Sequence, residues 1–138
     1  MLHGASICFY LVGTAMLTAF GLRYLFASKA MPYHLVAVGK SWIEIDDGTK
    51  AILLALMRCA GAAYLAVSVA SLWMVLVGLV QRASWANPAL VSIYVTLLVP
   101  VTLVMLHVRR RTTARPPINA SVVGLALMAI ACCCEWMS

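Results

Sequence analysis

At 138 residues, with 64% hydrophobic and 10% charged residues, the chain is far more apolar than a soluble domain, which is about half apolar and a quarter charged. A water-soluble domain is excluded, and the length accommodates one compact unit of four membrane spans at about 20 apolar residues each. The formal charge of +6 does not imply nucleic acid, because the basic residues sit in loops beside apolar segments, as the positive-inside rule requires.

Met1 to Leu22 carry no Lys, Arg, Asp or Glu, and with the following residues they make a first span over about 3–25. A secretory signal peptide needs positive charge before its apolar core, whereas here Arg23 comes after it, so the segment is expected to be retained. The loop that follows mixes Leu35, Val36, Val38, Trp42, Ile43 and Ile45 with His34, Lys40 and Glu44. This pattern predicts a segment lying at the membrane interface, anchored by Tyr33 and Trp42, started by Pro32 and broken at Gly39. Asp46, Asp47 and Thr49 offer oxygens and negative charge to the start of a second span over 50–80. Along that span Ala55, Cys59, Ala62, Ala66 and Ala70 recur at steps of three and four, a stripe of small side chains that lets another helix approach closely.

Asn87 and Pro88 read as the cap and first-turn proline of a third span over 88–108, with Trp85 as an interfacial belt residue. Pro100 lies inside it, which frees the carbonyl of Thr96 and predicts a kink eased by the hydroxyls of Thr96 or Thr102. Arg109, Arg110, Arg111 and Arg115, with Pro116 and Pro117, make a basic connector, and Asn119 or Ser121 would cap a short fourth span over 119–136. Orientation follows from counting: Arg23, Lys29, Lys40, Lys50 and the four connector arginines flank the odd loops, against Arg82 alone in the even one. The odd loops are thus expected in the cytoplasm and both termini on the exported side. The predicted fold is all-α, a transmembrane four-helix bundle with a cytoplasmic interfacial segment between helices 1 and 2.

No catalytic, metal or nucleotide signature names an activity, so candidate residues come from cost. Arg58 stands about 10 Å beyond Lys50 along a helix axis, and an intramembrane charge must pair, be solvated or snorkel. Glu44, Asp46 and Asp47 are its nearest acids along the chain. A cytoplasm-facing pocket built from Tyr33, His34, Glu44, Arg58 and His107 would suit a lipid or small molecule, and its His and carboxylate would suit proton transfer. Cys8 and the Cys132, Cys133, Cys134 run, beside His3, Met1 and Met137, have soft-metal chemistry, but adjacent helical residues fan about 100° apart and do not converge on one ion. Five cysteines, an odd number with no CxxC pattern, indicate neither a disulfide framework nor a zinc site, and no cofactor is implied.

The run MPYHLVAVGKSW followed by IDDGTKAILLALMRCAGAAYLAVSVASL resembles a group of small bacterial inner-membrane proteins of unassigned activity. More distantly, the layout over residues 5–80 is similar to the DoxX-like four-helix proteins, with an embedded segment after the first span and Arg58 and Gly61 early in the second. The resemblance implies a four-helix fold in a bacterial inner membrane and carries over no catalytic residue. The triple cysteine and the basic third loop depart from it. The first expectation is a non-enzymatic protein of the lipid bilayer that self-associates, as a homo-oligomer or a subunit of a membrane complex, through the small stripe. The alternatives are the lipid or small-molecule pocket, possibly of an enzyme, and soft-metal or thiol handling at the exported face. Four spans without a central run of polar residues would need an oligomer to form a pore.

Overall fold

The computed structural model describes all residues from Met1 to Ser138. The chain folds into α1 (Leu2–Leu25), α2 (Pro32–Val38), α3 (Asp47–Trp73) with a π-helical extension (Met74–Leu79), α4 (Ala86–Arg111) and α5 (Ile118–Trp136). Four of these, counting α3 with its extension, are long and apolar enough to cross a membrane, and α2 is a short non-spanning segment between the first two. This is the expected all-α bundle. One end carries both termini and the turn at Arg82, and is called the terminal end below; the other, with the α1–α3 loop and the arginine-rich α4–α5 connector, is the basic end.

Local chemistry explains the boundaries. Pro32 occupies the first turn of α2, where its missing N–H costs nothing, and Gly39 closes the helix with a left-handed φ of 71°. Asp46 caps α3 by accepting the Thr49 amide at 2.9 Å, and Asp47 adds negative charge to the first turn. At the terminal end the chain reverses tightly after the π stretch, whose Val75 carbonyl accepts the Val80 amide at 2.9 Å. Gly78 permits this reversal, since a Cβ there would lie 2.7 Å from the Ala86 Cβ and 2.9 Å from the Trp85 ring.

Three local expectations change. Asn87 is not a cap: α4 begins two residues earlier than expected, at Ala86 after Trp85, and Asn87 is buried with partners on other helices. Ser121 lies inside the first turn of α5 and donates to the Ile118 carbonyl at 2.9 Å, while Pro117 holds the cap position. Near Pro100, α4 continues, and the Thr102 hydroxyl sits 2.6 Å from the Leu98 carbonyl instead of reaching that of Thr96.

Packing centres on α1, which lies against α3 on one side and α5 on the other, with α4 closing onto α5. Its buried face is Ser6, Tyr10, Gly13, Thr14, Leu17 and Gly21, one stripe at three- and four-residue steps. Large aliphatic side chains such as Ile52, Leu56, Val69, Leu103 and Val104 point outward, as expected where the solvent is lipid. The closest approach is glycine on glycine: a Cβ on Gly61 would meet the Leu25 amide nitrogen at 2.6 Å and the Gly21 carbonyl oxygen at 2.8 Å. By contrast α3 and α4 meet mainly near their shared turn and separate toward the basic end.

The interior does contain a run of polar residues, contrary to the sequence expectation. Tyr10 donates to Asn87 Oδ1 at 2.7 Å, and the Asn87 amide reaches Cys132 Sγ at 3.7 Å. The Tyr94 hydroxyl lies 3.0 Å from Thr14 Oγ1 and 3.3 Å from the Tyr10 carbonyl. At the terminal end His3 Nδ1 meets the Glu135 carboxylate at 3.0 Å. Tyr10 and Thr14 share one face of α1, and the relative rotation of α1, α4 and α5 brings Asn87, Tyr94 and Cys132 to that face.

The glycine contact yields a graded expectation. Gly61→Ala drives a methyl into backbone that cannot rotate aside and should destabilise the detergent-solubilised protein by about 1–3 kcal/mol. Gly21→Ala meets the Leu65 side chain, Cγ at 2.9 Å and Cδ2 at 3.0 Å, with the Gly61 carbonyl oxygen at 3.1 Å, and, since the nearest atoms belong to a side chain that can move, should cost less in the same thermal unfolding measurement. Equal losses would show that α1 and α3 are not locked by backbone contact at Gly61.

Candidate functional site

At the basic end the separation of α3 from α4 leaves space that α2 only partly fills. A cavity of about 550 Å³ lies between the end of α1, α2 and the α4–α5 connector, walled by Phe20, Met31, Val36 and Pro117 and rimmed by Arg23, Thr113 and Arg115. On the other side of Tyr24 and Tyr33, a cleft of about 310 Å³ opens between α3 and α4, bounded by Ala60, Tyr64, Val104 and Val108. Tyr24 and Tyr33 border both spaces, and their hydroxyls hydrogen-bond to each other, making a pillar between them. A small central void of about 30 Å³, room for about one water, touches Phe20 and Pro117 on one side and Tyr64 on the other.

The pillar belongs to an aromatic cluster. Tyr33 and His34 stack edge to face at 4.3 Å between ring centres, and Tyr24 lies 6.3 Å from both His34 and Tyr64. Pro32 starts α2 so that adjacent positions 33 and 34 turn toward α1 and α3, while Met31, Met57 and Ala30 form a small core beneath them that Trp42 and Leu53 cover. Burial pushes the His34 imidazole below its ordinary value of 6.5, and its Nδ1 is enclosed without a hydrogen-bond partner.

The five residues proposed from sequence as one pocket are dispersed. Tyr33 and His34 line the cleft, but His107 and Arg58 are exposed on the outside of the bundle. Arg58 makes no ion pair; the chain's ion pairs are His3 with Glu135 and Lys50 with Asp47. Glu44 turns back on its own loop and accepts the Ser41 amide at 2.7 Å, which holds its carboxyl below the usual 4.5. The Thr49 side chain and amide likewise hold Asp46 below 3.8 as the cap of α3. Tyr24, Tyr64, Arg23 and Arg115 are the residues that sequence reasoning left out of the pocket. A hydroxyl-bearing aromatic deep in an apolar span, as Tyr64 is, was the signal for one of them.

Of the cysteines, Cys8 and Cys133 are exposed and Cys132 and Cys134 half-buried, all as free thiols. No group of three or more His, Cys, Asp or Glu side chains is placed to hold a metal ion. In the stripe of α3, Ala55, Cys59, Ala62 and Ala66 face outward and Ala70 is half-buried, so α1 packs on the opposite, Gly61 face.

The fold defines a small, multi-pass, all-helical membrane protein. Comparisons with protein families, with curated proteins and with solved structures find no match, so the likeness to DoxX-like proteins gains no support from them and the structural class is what stands.

His34 gives this site a pH signature. Because its folded value is lowered, the stability it confers is complete above the unfolded value of 6.5 and is lost as pH falls below that toward the folded value. The thermal midpoint should therefore drop on acidification from about pH 7.5 to 5.5, and His34→Gln should flatten part of that drop. An unchanged slope in the variant would remove His34 as its source.

Proposed function

We propose that the protein binds an amphipathic small molecule or lipid at the basic end of the bundle, which the positive-inside rule assigns to the cytoplasm, with both termini exported. The observation that carries this is the cavity of about 550 Å³ whose apolar walls end in a polar, arginine-bearing rim, the arrangement an amphiphile matches. Tyr33, one of the pocket residues expected from sequence, stands at its edge with Tyr24, and His34 lies behind Tyr33 on the cleft side. The resemblance noted above favours a bacterial inner membrane as the setting. Binding alone accounts for the arrangement, so the protein is read as a binding protein and not as an enzyme.

Titration of the detergent-solubilised protein with a panel of neutral and charged amphiphiles should give saturable thermal stabilisation, about 2.7 kcal/mol at one hundred times Kd. Val36→Trp, which fills the cavity, should abolish it. No saturable shift with any amphiphile, or the same shift in the filled variant, would overturn the proposal.

A second reading is self-association or entry into a membrane complex through α3. It is favoured by the outward direction of Ala55, Cys59, Ala62 and Ala66, which leaves the small stripe free for another helix. The double substitution Ala62→Leu, Ala66→Leu should then reduce cross-linked oligomers in the membrane. If particle size and thermal stability in detergent do not change, the stripe is not an interface.

A further inference from the structure

We infer that the occupant of this cavity is an anionic phospholipid, its phosphate held between Arg23 and Arg115. This rests on the cavity reading above and names its ligand. Charge complementarity selects the headgroup. Both guanidinium groups rim the cavity, no acidic side chain lines it, and neither arginine is ion-paired within the chain. A guanidinium fork matches phosphate oxygens two at a time, and the Thr113 hydroxyl at the same rim adds a donor. A neutral amphiphile would leave two positive groups at the mouth without a counter-charge.

The walls favour an amphiphile over a free anion. Away from the arginines the lining is Phe20, Met31, Val36 and Pro117 with the rings of Tyr24 and Tyr33, whose hydroxyls are hydrogen-bonded to each other. They suit hydrocarbon. Depth agrees with the assignment. Arg23 is in the last turn of α1 and Arg115 in the connector before α5, so both lie where one leaflet's headgroups sit. Arg110, at the end of α4, is exposed and does not line the cavity, which makes it a matched control.

The test uses the full chain in detergent, with phosphatidylglycerol and phosphatidylcholine of identical acyl chains as probes, inorganic phosphate as competitor, and native mass spectrometry with thermal unfolding as readouts. Phosphatidylglycerol should bind at least about tenfold more tightly than phosphatidylcholine. Arg115→Gln and Arg23→Gln should each lose about tenfold, the worth of one charged hydrogen-bonding contact, while Arg110→Gln keeps wild-type affinity. The lipid-free thermal midpoint of each variant serves as the check on folding. Equal binding of the two lipids, unaffected by Arg115→Gln, would overturn the anionic assignment and leave the cavity reading standing. Binding of neither lipid would overturn the phospholipid assignment, and the cavity reading falls with it only if the wider amphiphile panel also gives no saturable shift. A loss in Arg110→Gln as large as that in Arg115→Gln would mean diffuse adsorption, and displacement by inorganic phosphate at equal concentration would mean a soluble anion; either result ends the inference.

Discussion

The contact on which this structure depends is the crossing of α1 and α3 at Gly21 and Gly61, where backbone meets backbone with no side chain between. In hydrocarbon there is no hydrophobic drive to press helices together, so close packing between small residues has to hold them. Because this crossing lies near the basic end, α3 is drawn to α1 and away from α4 there, while Gly78 under Trp85 and Ala86 pins α3 to α4 at the opposite end. Two glycine contacts at opposite ends thus pull α3 toward different neighbours. The cleft between α3 and α4 follows from this geometry.

The basic residues fall into two groups by position. Arg82, Lys29, Lys40, Arg109, Arg110 and Arg111 are exposed and line none of the cavities described above, which fits a role in topology. Arg23 and Arg115 are exposed too but face a shared cavity. Acidic residues are committed elsewhere: Asp46 to a helix cap, Glu44 to its own loop, Asp47 to Lys50 and Glu135 to His3. The absence of acids from the basic end's cavity is therefore a consequence of where four acids are spent in a chain that has only four.

Hydropathy and loop charge made the bundle legible from sequence, and Pro32, Gly39 and Asp46 made the segment between α1 and α3 legible in detail. The pocket was legible only in Tyr33 and His34. Glu44 was assigned outward reach toward Arg58, but a carboxylate two residues before a cap is captured more cheaply by the nearby Ser41 amide. Asn87 looked like a cap because Asn before Pro usually is one; its real partners, Tyr10 and Cys132, are 77 and 45 residues away and leave no local trace. The polar interior was in principle visible as Ser6, Tyr10 and Thr14 at four-residue intervals on one face of α1. Judging each span by its total hydropathy hides such a face.

That network also orders events during assembly. Tyr10 finds its acceptor in α4, Thr14 meets Tyr94 across a separation of 80 residues, and His3 meets Glu135 across 132. When α1 first enters the bilayer, the Thr14 hydroxyl can turn to the Tyr10 carbonyl one turn back, but the Tyr10 phenol has no local acceptor of this kind. Its acceptor belongs to α4, and the partner of His3 to α5. The full set of polar partners of α1 therefore exists only once the whole chain is present.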